Sequence, residues 1–223
     1  MTIVLLSGGL DSAVLLAHEA ERARVLPLYV SVGLAWESAE RRMVSHLLAA
    51  PLFAGKIEAL ETLDFTMRDV YAPTHWAVVG TPPAYDTPDE DVYLVGRNLV
   101  LLTKAGVKAA TRKASRLALG LLGGNPFPDA TPEFLAAMAQ ALTLGLNHPL
   151  EIATPFSEMH KDDVIRRGRD LGVPLALTLS CMNPIDAPIP LHCGQCSKCR
   201  ERRDGFRAAG VDDPTVYQQV SAR

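Results

Sequence analysis

Three observations predict an α/β protein built on a parallel sheet with helices on both faces. Apolar runs of strand length alternate with amphipathic helical patterns along the chain. The first such run ends in adjacent glycines, where a strand turns into a helix. The 223 residues, 48% hydrophobic and 21% charged, supply a substantial core.

Taken in order, residues 2 to 6 (TIVLL) and 24 to 32 (RVLPLYVSV) are expected as buried strands, joined by a helix from about 11 to 22. Residues 37 to 50 (ESAERRMVSHLLAA) predict a second helix, and 56 to 63 (KIEALETL) a third strand. The Pro-rich stretch TPPAYDTPDED at 81 to 91 marks a loop or lid. A helix is then expected over 99 to 119, with the short apolar run LALGLL at 117 to 122 as a strand leading to Gly123 and Gly124. Pro132 and Glu133 suit the first turn of a helix over 132 to 146. PLEIAT at 149 to 154 closes the set as a strand, followed by a helix over 158 to 171 that Gly172 ends. No repeats or low-complexity segments interrupt this order, and ligands in such a sheet sit beyond the carboxyl ends of the strands.

Net charge is −3 and the isoelectric point about 6.1, so neither tight nonspecific nucleic-acid binding nor attraction to an anionic membrane is indicated. A small-molecule substrate fits better. MTIVLLSGG has no basic segment before its apolar stretch and meets Asp11 too soon for a signal peptide, which leads to an expected cytoplasmic location. Lys104, Lys108, Arg112, Lys113 and Arg116 interrupt the apolar stretch from 99 to 122, a poor membrane span but a good amphipathic helix.

Ser7-Gly8-Gly9-Leu10-Asp11-Ser12 falls at the mouth of the first strand, where helix-terminal N–H groups point outward. Glycine lets the backbone approach an anion closely, and two serine hydroxyls add donors, so the loop can receive a phosphate. The plainer alternative is a strand-to-helix turn with Asp11 or Ser12 as the helix cap. The hexad lacks the Gly-Lys-Ser/Thr ending of a P-loop and the spaced glycines of a dinucleotide fingerprint.

All four cysteines lie between 181 and 199, as Cys181, Cys193, Cys196 and Cys199. Three thiolates on a tight knuckle and one from across a loop complete a closed tetrahedral Zn²⁺ shell, which makes the site structural. Lys198, Arg200, Arg202 and Arg203 are near enough to offset its net negative charge. His192 is a competing ligand, but four cysteines satisfy the count.

The loop SGGLDS resembles the SGGxDS pyrophosphate loop of ATP pyrophosphatases. Together with VGRN in the middle of the chain and LTLSCMN…CGQCSKCRERRDGF near the end, the sequence resembles the 7-cyano-7-deazaguanine synthase family over nearly its whole length. The resemblance implies a Rossmann-like nucleotide hydrolase fold of the adenine nucleotide alpha hydrolase type. It divides the chain into an ATP-pyrophosphatase domain over 1–180 and a zinc-binding segment over 181–223. It implies structural Zn²⁺, a homodimer, and conversion of a carboxylate and ammonia to a nitrile with ATP and Mg²⁺. Carried over by residue, Ser7, Gly8, Gly9, Leu10, Asp11 and Ser12 hold the pyrophosphate, with Asp11 reaching toward Mg²⁺.

Lys161, in TPFSEMHKDDVI, matches the family's late lysine and would stabilise phosphate charge; outside that context it is a solvated helix lysine. Arg97 and Asn98 match a segment lining the active site, and equally suit a helix cap. Asp129 and Glu133 survive in the stretch that recognises substrate, while its leading Asp and its Arg do not. A Tyr-Gly-Gln-Arg-His-like stretch is replaced here by Val32-Gly33-Leu34-Ala35-Trp36-Glu37. Trp36 and Phe127 are flat surfaces for a ring, or simply core. A divergent relative adenylating another carboxylate is the second reading, and a zinc-stabilised nucleotide-binding module without catalysis the third.

Overall fold

Alternation along the first strand sets the architecture. In the computed structural model, which describes residues 1–218, Thr2–Leu5 forms β1, buried along its whole length. Ile3 and Leu5 join one apolar cluster while Val4 and Leu6 join another, so the strand feeds two cores on opposite faces. Val25–Ser31 (β2), Glu61–Asp64 (β3), Arg116–Ala118 (β4) and Glu151–Ala153 (β5) complete one parallel sheet in the order β3-β2-β1-β4-β5.

The helices are α1 (Leu10–Ala20), α2 (Glu37–Leu48), the single turn α3 (Trp76–Val79), α4 (Arg97–Thr111), α5 (Pro132–Leu146), α6 (Lys161–Asp170) and α7 (Ser197–Ala209). Val14 and Leu15 of α1, Val164 and Ile165 of α6, and Phe206 of α7 close one face. Leu102 and Ala105 of α4 and Leu142 of α5 close the other. The cysteines at 181, 193, 196 and 199 belong to this second core. No helix among the described residues is long and apolar enough to cross a membrane.

The expected α/β class, with its parallel sheet, is the one observed, and the main differences from the expected elements number five. The helix expected over 99 to 119 ends at Thr111, because Lys113 takes a left-handed φ of 53° and returns the chain to the sheet. The strand expected over 117 to 122 is only Arg116–Ala118, leaving Leu119 to Leu122 to cross the sheet's carboxyl edge as a loop. The third strand begins at Glu61 rather than 56, with Ile57 making an isolated bridge to Val25. The helix expected from 158 starts at Lys161, since Ser157 and Met159 close turns on Thr154 and Phe156. The fifth difference, α7, was not anticipated. Its buried stripe runs through Cys199, Arg202, Gly205 and Phe206, a helical spacing carried by residue types that do not announce a core. Residues 219–223 of the expected zinc-binding segment lie outside the described residues.

Candidate active site

The strand order reverses direction at β1, so the loops after β1 and β4 part and leave a crevice at the carboxyl edge. Ser7 to Gly9 enter it from β1. Gly8 has φ +82°, and a Cβ there would come within 2.9 Å of Val44 Cγ2, so this loop position requires glycine. The Gly9 N–H donates to Ser7 Oγ at 3.2 Å, and Ser12 Oγ donates to the Gly9 carbonyl at 2.9 Å. Gly9 is the residue before α1 and no side chain caps that end. Neither Asp11 nor Ser12 is therefore spent as a cap, and the positive end of α1 faces the crevice.

Asp11 and Lys161 meet here from 150 residues apart, with Lys161 Nζ 2.7 Å from Asp11 Oδ2 and 2.8 Å from Glu201 Oε1. Lys198 Nζ lies 2.6 Å from Glu201 Oε2. Burial works against the Lys161 charge, but Asp11 and Glu201 outweigh it and hold its pKa above the ordinary value. Burial likewise raises the Glu201 carboxyl, yet Lys161 and Lys198 prevail and bring it down to about 2. Asp11 Oδ1 is buried with no hydrogen-bond partner. Gly205 makes the Lys161 position reachable: a Cβ on it would come within 2.5 Å of Lys161 Cγ.

Arg97 and Asn98 start α4 on the opposite wall. They do not serve as its cap, which is Gly96 without side-chain help. Asn98 donates from its backbone to Asp129 Oδ2 at 3.0 Å and from Nδ2 to Oδ1 at 3.2 Å, fixing that buried carboxylate. Burial raises the Asp129 pKa despite these bonds. Arg97 Nε is buried and unpartnered, an orphaned donor beside a cavity.

Two contiguous cavities occupy the crevice. The larger, about 280 Å³, is lined by Ser7, Gly9, Leu10, Asp11, Lys161, Arg97 and Asn98, and also by Trp36, Phe127 and Asp129. Aromatic pairs wall it: Trp36 stacks on Trp76 at 5.8 Å and Tyr93 on Phe127 at 5.0 Å. The smaller, about 170 Å³, lies over the ends of β1, β2 and β4 and takes in Ser12 and Gly120. Gly8 sits in the loop but faces α2 rather than either cavity. Of the expected substrate contacts, Glu133 alone lines neither cavity: it is exposed in the first turn of α5.

Several lining residues had no motif to reveal them. Glu40 is buried on α2, accepts a hydrogen bond from Tyr29 Oη at 2.7 Å and borders both cavities. Glu37, at the start of the altered 32–37 stretch's helix, accepts from the Val32 and Gly33 N–H groups at 2.8 and 3.0 Å and from Ser31 Oγ at 2.6 Å. That turn is thus held by its own carboxylate. Arg202 lies fully inside, donating to Thr178, Ser180 and Thr215 hydroxyls and to the Leu175 carbonyl. An acidic or basic residue on an amphipathic helix reads as a solvated face until tertiary packing turns it inward.

The four cysteines converge, their sulfurs all within 4.8 Å of one another. The Sγ separations of 4.0 Å (Cys181 to Cys196), 3.9 Å (Cys193 to Cys199) and 3.5 Å (Cys196 to Cys199) bracket the edge of about 3.8 Å that a tetrahedral Zn–S₄ centre requires. Backbone N–H groups of Asn183 and Cys193 donate to Cys181 Sγ, and that of Gln195 to Cys193 Sγ, as anionic sulfur would call for. The donor set therefore fits Zn²⁺. His192 stands apart from it, its Nε2 accepting from the Ser180 N–H at 3.1 Å. Burial, with Arg202 nearby, lowers its pKa to about 3 and keeps it neutral.

The sequence has counterparts in known proteins. A 7-cyano-7-deazaguanine synthase of Methanopyrus kandleri is 31% identical over 239 residues, spanning 97% of this chain and 98% of its own. One from Azoarcus is 33% identical over 231 residues, with 97% and 96% covered, and one from Anaeromyxobacter dehalogenans 35% over 229, with 96% and 94%. Among solved structures, a 4-thiouridine synthetase–RNA complex with bound ATP aligns at a TM-score of 0.43 and 14% identity. That alignment covers 94% of this chain and 51% of the other, about half its length. The family described as queuosine biosynthesis protein QueC matches residues 1–210, and this chain belongs to it.

Proposed function

We propose that this protein converts 7-carboxy-7-deazaguanine and ammonia to 7-cyano-7-deazaguanine at the expense of ATP, as a carbon–nitrogen ligase of the cytoplasm. The observation that carries the reading is the Asp11–Lys161–Glu201 cluster facing an uncapped, glycine-bearing helix start across a cavity with aromatic walls. A carboxylate is a poor electrophile until one oxygen becomes a leaving group, and adenylation makes it one. The loop from Ser7 to Ser12 binds the pyrophosphate, and Lys161 neutralises charge as the α-phosphorus is attacked. Mg²⁺, when bound, shields the triphosphate, and the orphaned Asp11 Oδ1 is the oxygen suited to hold it.

Ammonia then displaces AMP to give the amide, and a second adenylation, on the amide oxygen, lets AMP depart as the nitrile forms. Trp36 and Phe127 clasp the flat base while Asp129, held by Asn98, accepts N–H groups of its edge. The cysteine quartet holds Zn²⁺ as a closed structural centre. The family resemblance further implies a homodimer, which sedimentation of the purified protein tests.

Incubation of the protein with Mg²⁺-ATP, ammonium chloride and 7-carboxy-7-deazaguanine should yield the nitrile, AMP and pyrophosphate by mass spectrometry, and Asp11→Ala should abolish all three. Binding of ATP without consumption of the base would instead favour the reading in which another carboxylate is adenylated. The altered stretches at 32 to 37 and 123 to 131 are the observations behind that alternative.

A further inference from the structure

Two acidic side chains border both cavities, Asp11 and Glu40. They differ in company. Asp11 is tied to the Lys161 ammonium. Glu40 takes its hydrogen bonds from neutral groups, the Tyr29 phenol at 2.7 Å and the Trp36 indole, with the Arg97 charge acting on it from α4. Its helix also lies directly on the pyrophosphate loop, since a Cβ on Gly8 would sit 3.3 Å from the Glu40 carbonyl. Residues common to the two cavities mark their junction, and there the activated carboxyl must lie if adenosine occupies one and the base the other.

We propose that Glu40 is a catalytic residue, the base that takes the proton shed by the attacking nitrogen when ammonia displaces AMP. This rests on the reaction proposed above. Neutral ammonia attacks the acyl carbon and the C–N bond forms. The C–O bond to AMP breaks and its electron pair leaves on AMP. One N–H proton passes to Glu40, giving amide, AMP and the neutral acid, which returns the proton to water before the next turnover.

The surroundings suit a group that must cycle between two protonation states. Tyr29 from β2, Trp36 and Glu37 from the start of α2, and Arg97 from α4 face Glu40, and Asp11 of α1 shares its cavity. Burial, opposed by Arg97, raises its pKa to about 7. The remaining cavity carboxylates are less available: Glu201 is locked between two lysines, Asp129 is bonded by Asn98, and Glu37 is taken up by Ser31 and the Val32 and Gly33 N–H groups.

The test separates the steps with Glu40→Gln. Pyrophosphate exchange into ATP, driven by 7-carboxy-7-deazaguanine without ammonia, reads adenylation and reports folding. Amide formation with ammonium chloride reads the proton-dependent step, and hydroxylamine, a weakly basic nucleophile that sheds its proton readily, bypasses it. The expected result is exchange within about threefold of the parent, amide formation down about a hundredfold or more, and hydroxamate formation largely restored. Loss of exchange and hydroxamate along with the amide would overturn the proposal by making Glu40 structural. Undiminished amide formation would overturn it by removing any need for the base. Absence of exchange in the parent protein would overturn the underlying reaction, and this inference with it, through a different readout.

Discussion

At the residue scale, charge is placed where burial makes it consequential. Lys161 is held by two carboxylates, so Lys161→Ala leaves Asp11 and Glu201 uncompensated and removes the phosphate contact proposed above. Pyrophosphate exchange should fall about 10² to 10³-fold, a loss that stopped-assay kinetics measures directly. Glu40 supplies a pH signature. Its pKa is about 7 in the folded protein against an ordinary 4.5, so the folded state binds the proton more tightly than the unfolded one. The stability it contributes is complete below about pH 4.5 and is lost as pH rises through 7, amounting to about 3 kcal/mol. Urea titrations across pH 4 to 8 should show that slope in the parent and lose it in Glu40→Gln. Legibility divided along the same line. Ser7 to Ser12 and the cysteines stood out because contiguous or closely spaced residues define their geometry. Glu40 did not, because an acid three residues after Glu37 looks like one more solvated charge until Tyr29 and Arg97 close over it.

Among the elements, α7 joins the cysteine cluster to the larger cavity. Cys196 precedes its first turn and Cys199 lies within it, while Lys198, Glu201 and Arg202 reach the cavity from the same helix. Zinc removal by a chelator should therefore lower Tm by several degrees and weaken ATP affinity together, as read by thermal denaturation and nucleotide titration. Gly205→Ala probes the same coupling without touching the metal. Its methyl would overlap the Lys161 stem, an overpacking of about 1–3 kcal/mol. The expected outcome is a raised KM for ATP with the zinc content unchanged. Most strands and helices were readable from apolar periodicity. The α7 helix was not, since its inward stripe is a cysteine, an arginine, a glycine and one phenylalanine.

Over the whole molecule, the order β3-β2-β1-β4-β5 explains why loops distant in sequence converge. The sheet brings the β1 turn, the α4 start, the 120s loop and α6 to one edge, and the alternating pattern implied that edge without specifying which side chains cross it. Both cores press on the central strands, so truncating a fully buried residue such as Leu28 in β2 should cost about 2–5 kcal/mol in a urea melt. Such a loss is a large share of a domain's stability. The aromatic wall has a practical corollary. The chain contains two tryptophans, Trp36 and Trp76, and both lie stacked against the larger cavity. Intrinsic fluorescence excited at the indole band thus arises from that one place, and occupancy of the crevice can be followed in the unlabelled, unmutated protein as it fills.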